Sequence, residues 1–124
     1  MNESFFKGSG VIELTEKDFD KNDPTKLSKQ VCSMVLFYAP WCGHCQAMKD
    51  EYRKAGNVAS AIYKIYAVNS EKNKDLIDKI KTIKPDFIQG FPTIAIFKKG
   101  ERVDTYTGER TTDAFIKFAM DRCK

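Results

Sequence analysis

A chain of 124 residues, 42% of them hydrophobic and 31% charged, has the length of one domain and is too apolar to stay disordered. Its net charge of +4 favours solubility over any particular partner. Arginine stands only at Arg53, Arg102, Arg110 and Arg122, and no stretch nears the roughly 18 apolar residues of a membrane span, so neither a nucleic-acid nor a membrane partner is expected.

The first ten residues, MNESFFKGSG, hold one apolar pair, Phe5-Phe6. They predict a flexible arm over 1–10, with a single domain over 11–124. Val11 to Leu14 is a short strand. Thr15 caps a helical turn with Asp18 as its capping-box partner. Asn22-Asp23-Pro24 breaks the chain. Val31 to Tyr38 is an almost unbroken apolar run, the pattern of a strand buried on both faces. A helix follows from Cys42 or Gly43, with Met48, Tyr52 and Ala55 on one face and an end or bend at Gly56-Asn57. Ile62 to Val68 alternates as a strand. Leu76, Ile77, Ile80 and Ile83 mark a helix that Pro85 stops. Thr93 to Phe97 and Val103 to Tyr106 form a hairpin across Lys99-Gly100. The last helix is capped by Thr111 or Thr112 and buries Ala114, Phe115, Phe118 and Ala119. The order predicts an α/β fold, a central mixed sheet flanked by helices on both faces.

The chemistry lies in Trp41-Cys42-Gly43-His44-Cys45. A C-x-x-C pair opening a helix after a buried strand places Cys42 where free N–H groups and the helix dipole favour a thiolate. His44 can add positive charge. Cys42 is the attacking thiol, and Cys45, a turn deeper, resolves the mixed disulfide. The competing reading is half of a zinc site. Tetrahedral zinc takes four ligands, and only His44 and the distant Cys32 and Cys123 remain to complete it. A haem attachment motif would need histidine where Gln46 stands.

The run Phe37-Tyr38-Ala39-Pro40-Trp41-Cys42-Gly43-His44-Cys45 resembles the active-site segment of a catalytic thioredoxin-fold domain of the protein disulfide isomerase family. Val11 to Thr15 is similar to that family's opening strand, Gly90-Phe91-Pro92-Thr93 to its cis-proline loop, and Tyr106, Gly108 and Arg110 to its Y-x-G-x-R run. The resemblance implies a thioredoxin fold and a thiol–disulfide oxidoreductase that forms, reduces or reshuffles disulfides without a cofactor or metal. It implies a cis Pro92 and a substrate strand paired with the backbone of Phe91. Trp41, Gly43, Phe91 and Pro92 would contact the substrate, and Arg110 would favour the Cys45 thiolate. The partners implied are proteins or peptides bearing thiols or disulfides, with glutathione as a small partner, acting on a monomer. The Gly-His interior suggests a potential nearer about −180 mV than about −270 mV. A thioredoxin-like reductase and a partner-docking module on the same fold are the alternatives.

The chain also departs from the family pattern. Leu36 occupies the place of a buried glutamate, and Ala67 that of its facing lysine. Losing both members of a buried charged pair is coherent, since either alone would be costly. It removes the proton acceptor beneath Cys45. Asp50 replaces the helix proline, so less kinking is expected. Asn69 to Phe91 is longer than usual, and Gln89 replaces a commonly basic residue.

Cys32 and Cys123 either bridge or stay as two thiols, a matter for geometry. The active-site motif suits an oxidising compartment such as the ER lumen. Neither a secretory signal nor a retention tetrapeptide is expected in MNESFFKGSG or DRCK, which keeps cytoplasm and a viral particle open.

Overall fold

The computed structural model describes residues 5–59 and 61–123. The elements run β1 (Ile12–Leu14), a 3-10 turn (Glu16–Asp18), β2 (Ser33–Tyr38), α1 (Gly43–Ala59), β3 (Lys64–Asn69), α2 (Lys74–Ile83), β4 (Thr93–Lys98), β5 (Glu101–Tyr106) and α3 (Thr112–Arg122). The five strands form one mixed sheet in the order β1-β3-β2-β4-β5. β1, β3 and β2 are parallel, and β4 and β5 run antiparallel to complete it. This is the mixed α/β architecture expected from the element order. Among the described residues no helix is long and apolar enough to cross a membrane.

β2 is buried along its whole length and feeds two cores. Met34, Leu36 and Tyr38 enter one with Cys45, Met48, Tyr52 and Phe115. Val35 and Phe37 enter the other with Leu14, Leu76, Ile80 and Phe97. Strand alternation sends successive side chains to opposite faces, so a continuous apolar run is what a strand covered on both faces requires. The capping box is present, Thr15 and Asp18 exchanging side chain and backbone contacts. The β4–β5 hairpin turns on Lys99 (φ 52°) and Gly100 (φ 82°), the left-handed pair that a tight hairpin needs. Thr111 rather than Thr112 caps α3. Thr112 instead donates its N–H and hydroxyl to the Glu51 carboxylate (2.7 and 2.8 Å), fastening α3 to α1.

The expected flexible arm is corrected over Phe5 to Gly10. Phe5 and Phe6 are buried in the α1-side core. Phe5 stacks on Tyr38 at 4.7 Å, and Phe6 meets Tyr38 and Tyr52 at 5.3 and 5.5 Å. Arg53 holds the segment by donating to the Phe5 and Lys7 carbonyls (2.8 and 3.2 Å). Burying one such ring is worth about 1.5–3 kcal/mol, enough to order a short segment. The rest of that arm, residues 1–4, lies outside the described residues.

Gly56 does not end α1, which runs on to Ala59. A side chain there would meet Val11 at 2.5 Å, and one at Gly10 would meet the Gly56 carbonyl at 2.3 Å. The glycines let two backbones cross, and that close approach replaces the expected helix end. β3 begins at Lys64 rather than Ile62, because Ile62 and Tyr63 turn back to donate to the Ala59 carbonyl (2.9 and 2.8 Å). α1 carries Asp50 and continues unbroken as a helix of 17 residues.

Candidate active site

β2 delivers the chain to the C-terminal edge of the sheet, and the turn Ala39-Pro40-Trp41 reverses it into α1. The Cys42 N–H donates to the Ala39 carbonyl (3.0 Å), and the Cys42 carbonyl accepts the first helical bond from Gln46 (3.0 Å). The Gln46 side chain ties back to the Pro40 carbonyl (2.8 Å), a contact that Gln46's role in excluding a haem motif gave no reason to expect. Cys42 therefore stands at the N-cap of α1, facing unpaired N–H groups.

Both thiols are free and buried, Cys45 more deeply than Cys42. Burial raises the Cys42 pKa. It is outweighed by hydrogen bonds from the Cys45 backbone, the Cys45 thiol and the His44 backbone, with the Arg110 charge adding to them. The net result lies below the ordinary thiol value. Cys45 goes the other way. Burial is the chief cause that pushes it to about 12, and the neighbouring Cys42 adds to the rise. The Ala39 backbone and Arg110 lower it, but not enough. The pair thus separates into a thiol poised to ionise and one held neutral, the division that attack and resolution require.

His44 is exposed, and what it gives Cys42 is its backbone N–H. Gly43 is exposed with open space where a side chain would project. The Phe91–Pro92 peptide is cis, as the resemblance implied. Its loop brings the Phe91 carbonyl to the Cys42 thiol, which donates to it at 3.4 Å. Trp41 is 69% exposed and meets the Phe91 ring edge-on at 6.2 Å. Arg110 is exposed, just before the α3 cap, and its charge reaches both cysteines. Trp41, Cys42, Cys45, Phe91 and the cis Pro92 thus gather beyond the end of β2, and the Arg110 charge reaches both cysteines there.

Leu36 and Ala67 are register partners on β2 and β3, both buried in the core that holds Cys42 and Cys45. An apolar pair fills the place of a charged one without leaving a buried charge unpaired. Cys32 and Cys123 form a disulfide at the opposite end of β2, their Cα atoms 5.6 Å apart. They are closed off from any shared zinc site with Cys42 and Cys45.

A thioredoxin family model matches residues 10–121. The chain belongs to the thioredoxin family. Protein disulfide-isomerase A6 of Homo sapiens is 39% identical over 115 residues, covering 90% of this chain and 24% of that protein. The A6 homolog of Drosophila melanogaster is 35% identical over 116 residues, covering 93% and 25%. Among solved structures, the first thioredoxin domain of mouse protein disulfide-isomerase A4 matches with a TM-score of 0.67 at 29% identity, covering 93% of this chain and 76% of that one. The chain thus spans about a quarter of the length of these curated thioredoxin-family relatives.

Proposed function

We propose that this chain is a thiol–disulfide oxidoreductase of the protein disulfide isomerase type, acting on cysteines of protein and peptide substrates. The observation that carries the reading is the placement of two free thiols one helical turn apart at the start of α1, with the Cys42 thiol 3.4 Å from the carbonyl before the cis Pro92; the surroundings hold Cys42 below the ordinary thiol value and Cys45 above it. The Cys42 thiolate attacks one sulfur of a substrate disulfide. That S–S bond breaks, its other sulfur leaves as a thiolate that takes a proton from water, and a mixed disulfide forms. Cys45 then loses its proton and attacks the Cys42 sulfur. The second substrate thiolate departs and the Cys42–Cys45 disulfide remains. Run backwards, the same steps oxidise a substrate dithiol. If the freed substrate thiolate instead attacks another substrate disulfide, and the thiolate released there attacks the substrate sulfur of the mixed disulfide, Cys42 leaves as its thiolate and bonds are reshuffled with no net electron transfer.

Arg110 supplies positive charge at the stage when Cys45 must ionise. An extended substrate would add its backbone at Phe91, beside the attacking sulfur. Glutathione is the small thiol partner that would reset the pair. The test is an equilibrium titration of Cys42–Cys45 against mixtures of reduced and oxidised glutathione. A potential near about −180 mV is expected; one near about −270 mV assigns the chain to reduction instead. Failure to form a Cys42–Cys45 disulfide at any mixture sinks both.

A further inference from the structure

The Trp41–Phe91 pair has two sides, and they differ. On the β5 side lies a broad polar groove with Arg102, Thr105, Thr107 and Arg110 along it. On the α2 side lies a slot of about 250 Å³. Its inner surface is Ala39, Trp41, Ile77, Phe91 and Ser70. Small-molecule sites begin at about 300 Å³, so this space suits one side chain rather than an independent ligand. Ala39 and Ile77 are buried, which makes the wall preformed, while the indole of Trp41 stands out into solvent as the opposite wall.

Two features specify what the slot would hold. The rim carries Lys74 and Lys81 against Glu71 and Asp78, so it selects neither sign of charge. Lys81 is further occupied, its ammonium lying 5.9 Å over the Phe91 ring. The second feature is Ser70. It is only 6% exposed, and its hydroxyl has no hydrogen-bond partner among the described residues. Its backbone N–H is committed to the Tyr38 carbonyl (2.8 Å), so rotation about its Cα–Cβ bond is what would bring the shielded hydroxyl to an occupant of the slot. An unpaired buried hydroxyl costs stability, and most find a partner. An aromatic side chain with a hydroxyl at its tip answers both features.

We propose that this slot is a specificity subsite for a tyrosine side chain next to the reacting cysteine of a polypeptide substrate, with Ser70 as the residue that distinguishes tyrosine from phenylalanine. The proposal rests on the oxidoreductase reading. It is continuous with the site, because Trp41 and Phe91 wall the slot and the Phe91 carbonyl receives the Cys42 thiol. Aromatic rings prefer edge-to-face and offset partners, and two are on offer.

The test uses short glycine peptides with one cysteine carried as its mixed disulfide with thionitrobenzoate. One neighbour of the cysteine, on either side in turn, is Tyr, Phe, Leu, Asp, Lys or Gly. Attack by the Cys42 thiolate forms the peptide–Cys42 disulfide and releases thionitrobenzoate, whose colour gives the rate constant. At one of the two positions, Tyr and Phe peptides are expected to react at least about 10-fold faster than the Gly peptide. Tyr should exceed Phe by about 3-fold, and Ser70→Ala should bring the Tyr constant down to the Phe one. With Cys45→Ser to hold the mixed disulfide, the tyrosine ring should show nuclear Overhauser contacts to the Ile77 and Ala39 methyls. Equal constants across the series overturn the subsite while leaving the oxidoreductase reading intact. Ring contacts to Thr105 and Thr107 instead also overturn it. No release from any peptide is a failure of the underlying reading.

Discussion

Cys32 precedes β2 and Cys42 follows it, so one buried strand of about 20 Å separates two cysteine pairs. At one end, Cys42 sits at the N-terminus of α1 and Cys45 one turn in. At the other, Cys32 is bonded to Cys123, which caps the C-terminus of α3. The two ends of a helix carry opposite partial charge. A thiolate is favoured at the first and disfavoured at the second. A disulfide exchanges quickly when its sulfurs leave as stable thiolates. Cys123 lacks that advantage, and Cys42 has it from two backbone N–H groups and Arg110. The comparison teaches that reactivity here is supplied by the backbone around a sulfur.

The largest effect follows directly. Cys42→Ser should reduce disulfide exchange at least about 1,000-fold, since the chain then lacks an ionisable attacking sulfur. The double variant Cys32→Ser, Cys123→Ser should keep exchange within about 2-fold at a temperature where it stays folded. Rates on a thionitrobenzoate-labelled peptide measure both. A large loss of exchange in the folded double variant would erase the distinction between the ends. The stability effect is reversed in location. The Cys32–Cys123 bridge spans a sequence separation of 91, and closing a loop of that size removes unfolded-chain entropy worth about 4.6 kcal/mol. The double variant should lose about that much in denaturant unfolding, while Cys42→Ser should lose less than about 1 kcal/mol.

Much of this arrangement was legible in the sequence, for local reasons. The two-sided burial of β2 follows from an unbroken apolar run. The reactive end follows from a C-x-x-C pair at a strand-to-helix junction. Thr15 with Asp18, and Lys99 with Gly100, announce a cap and a hairpin within four residues each. What escaped depends on distant partners. Phe5 and Phe6 have no periodicity, and their burial requires Tyr38 and Tyr52, which lie far along the chain. Gly56 reads as a helix breaker until Gly10 and Val11 are placed against it. Val31 and Ile62 are apolar but exposed, outside the strands that their pattern extended. The Cys32–Cys123 bond depends on a separation that only the folded sheet defines.

A smaller effect sharpens what the active end lacks. Leu36 and Ala67 are apolar in the core that holds Cys45, while the carboxylate of Glu13, the register partner of Ala67, accepts the Tyr38 hydroxyl (2.6 Å). Resolution needs Cys45 to give up a proton that burial holds to about 12. Leu36→Glu should place a proton acceptor there and speed release of a mixed disulfide trapped on Cys42 by about 10-fold. Leu36→Gln, of similar shape but without basicity, should not. The glutamate should also lower stability, because a buried charge without a partner is costly. Adding Ala67→Lys should recover part of that loss. Quenched-flow decay of the mixed disulfide reads the rate, and equal decay in Leu36→Glu and the parent chain would remove Leu36 from the account.

The smallest effect concerns Arg110. Its charge is the last of the causes lowering Cys42, after the hydrogen bonds from Cys45 and His44, and it is exposed to solvent that screens it. Removing a nearby cation disfavours the thiolate, so Arg110→Gln should move the Cys42 titration upward. The midpoint can be read from thiolate absorbance in the reduced protein. Cys45 should stay protonated until far higher pH in both proteins, since burial dominates there. The comparison substitution is Arg122→Gln, at the disulfide end, where the guanidinium pairs with Asp104 and lies 5.1 Å over Phe118. It should leave the Cys42 midpoint unmoved. Equal shifts from the two substitutions would mean that Cys42 senses only net charge. A shift from Arg110 alone would mean that the positive charge acts locally, at the same end of β2 as the reactive sulfur.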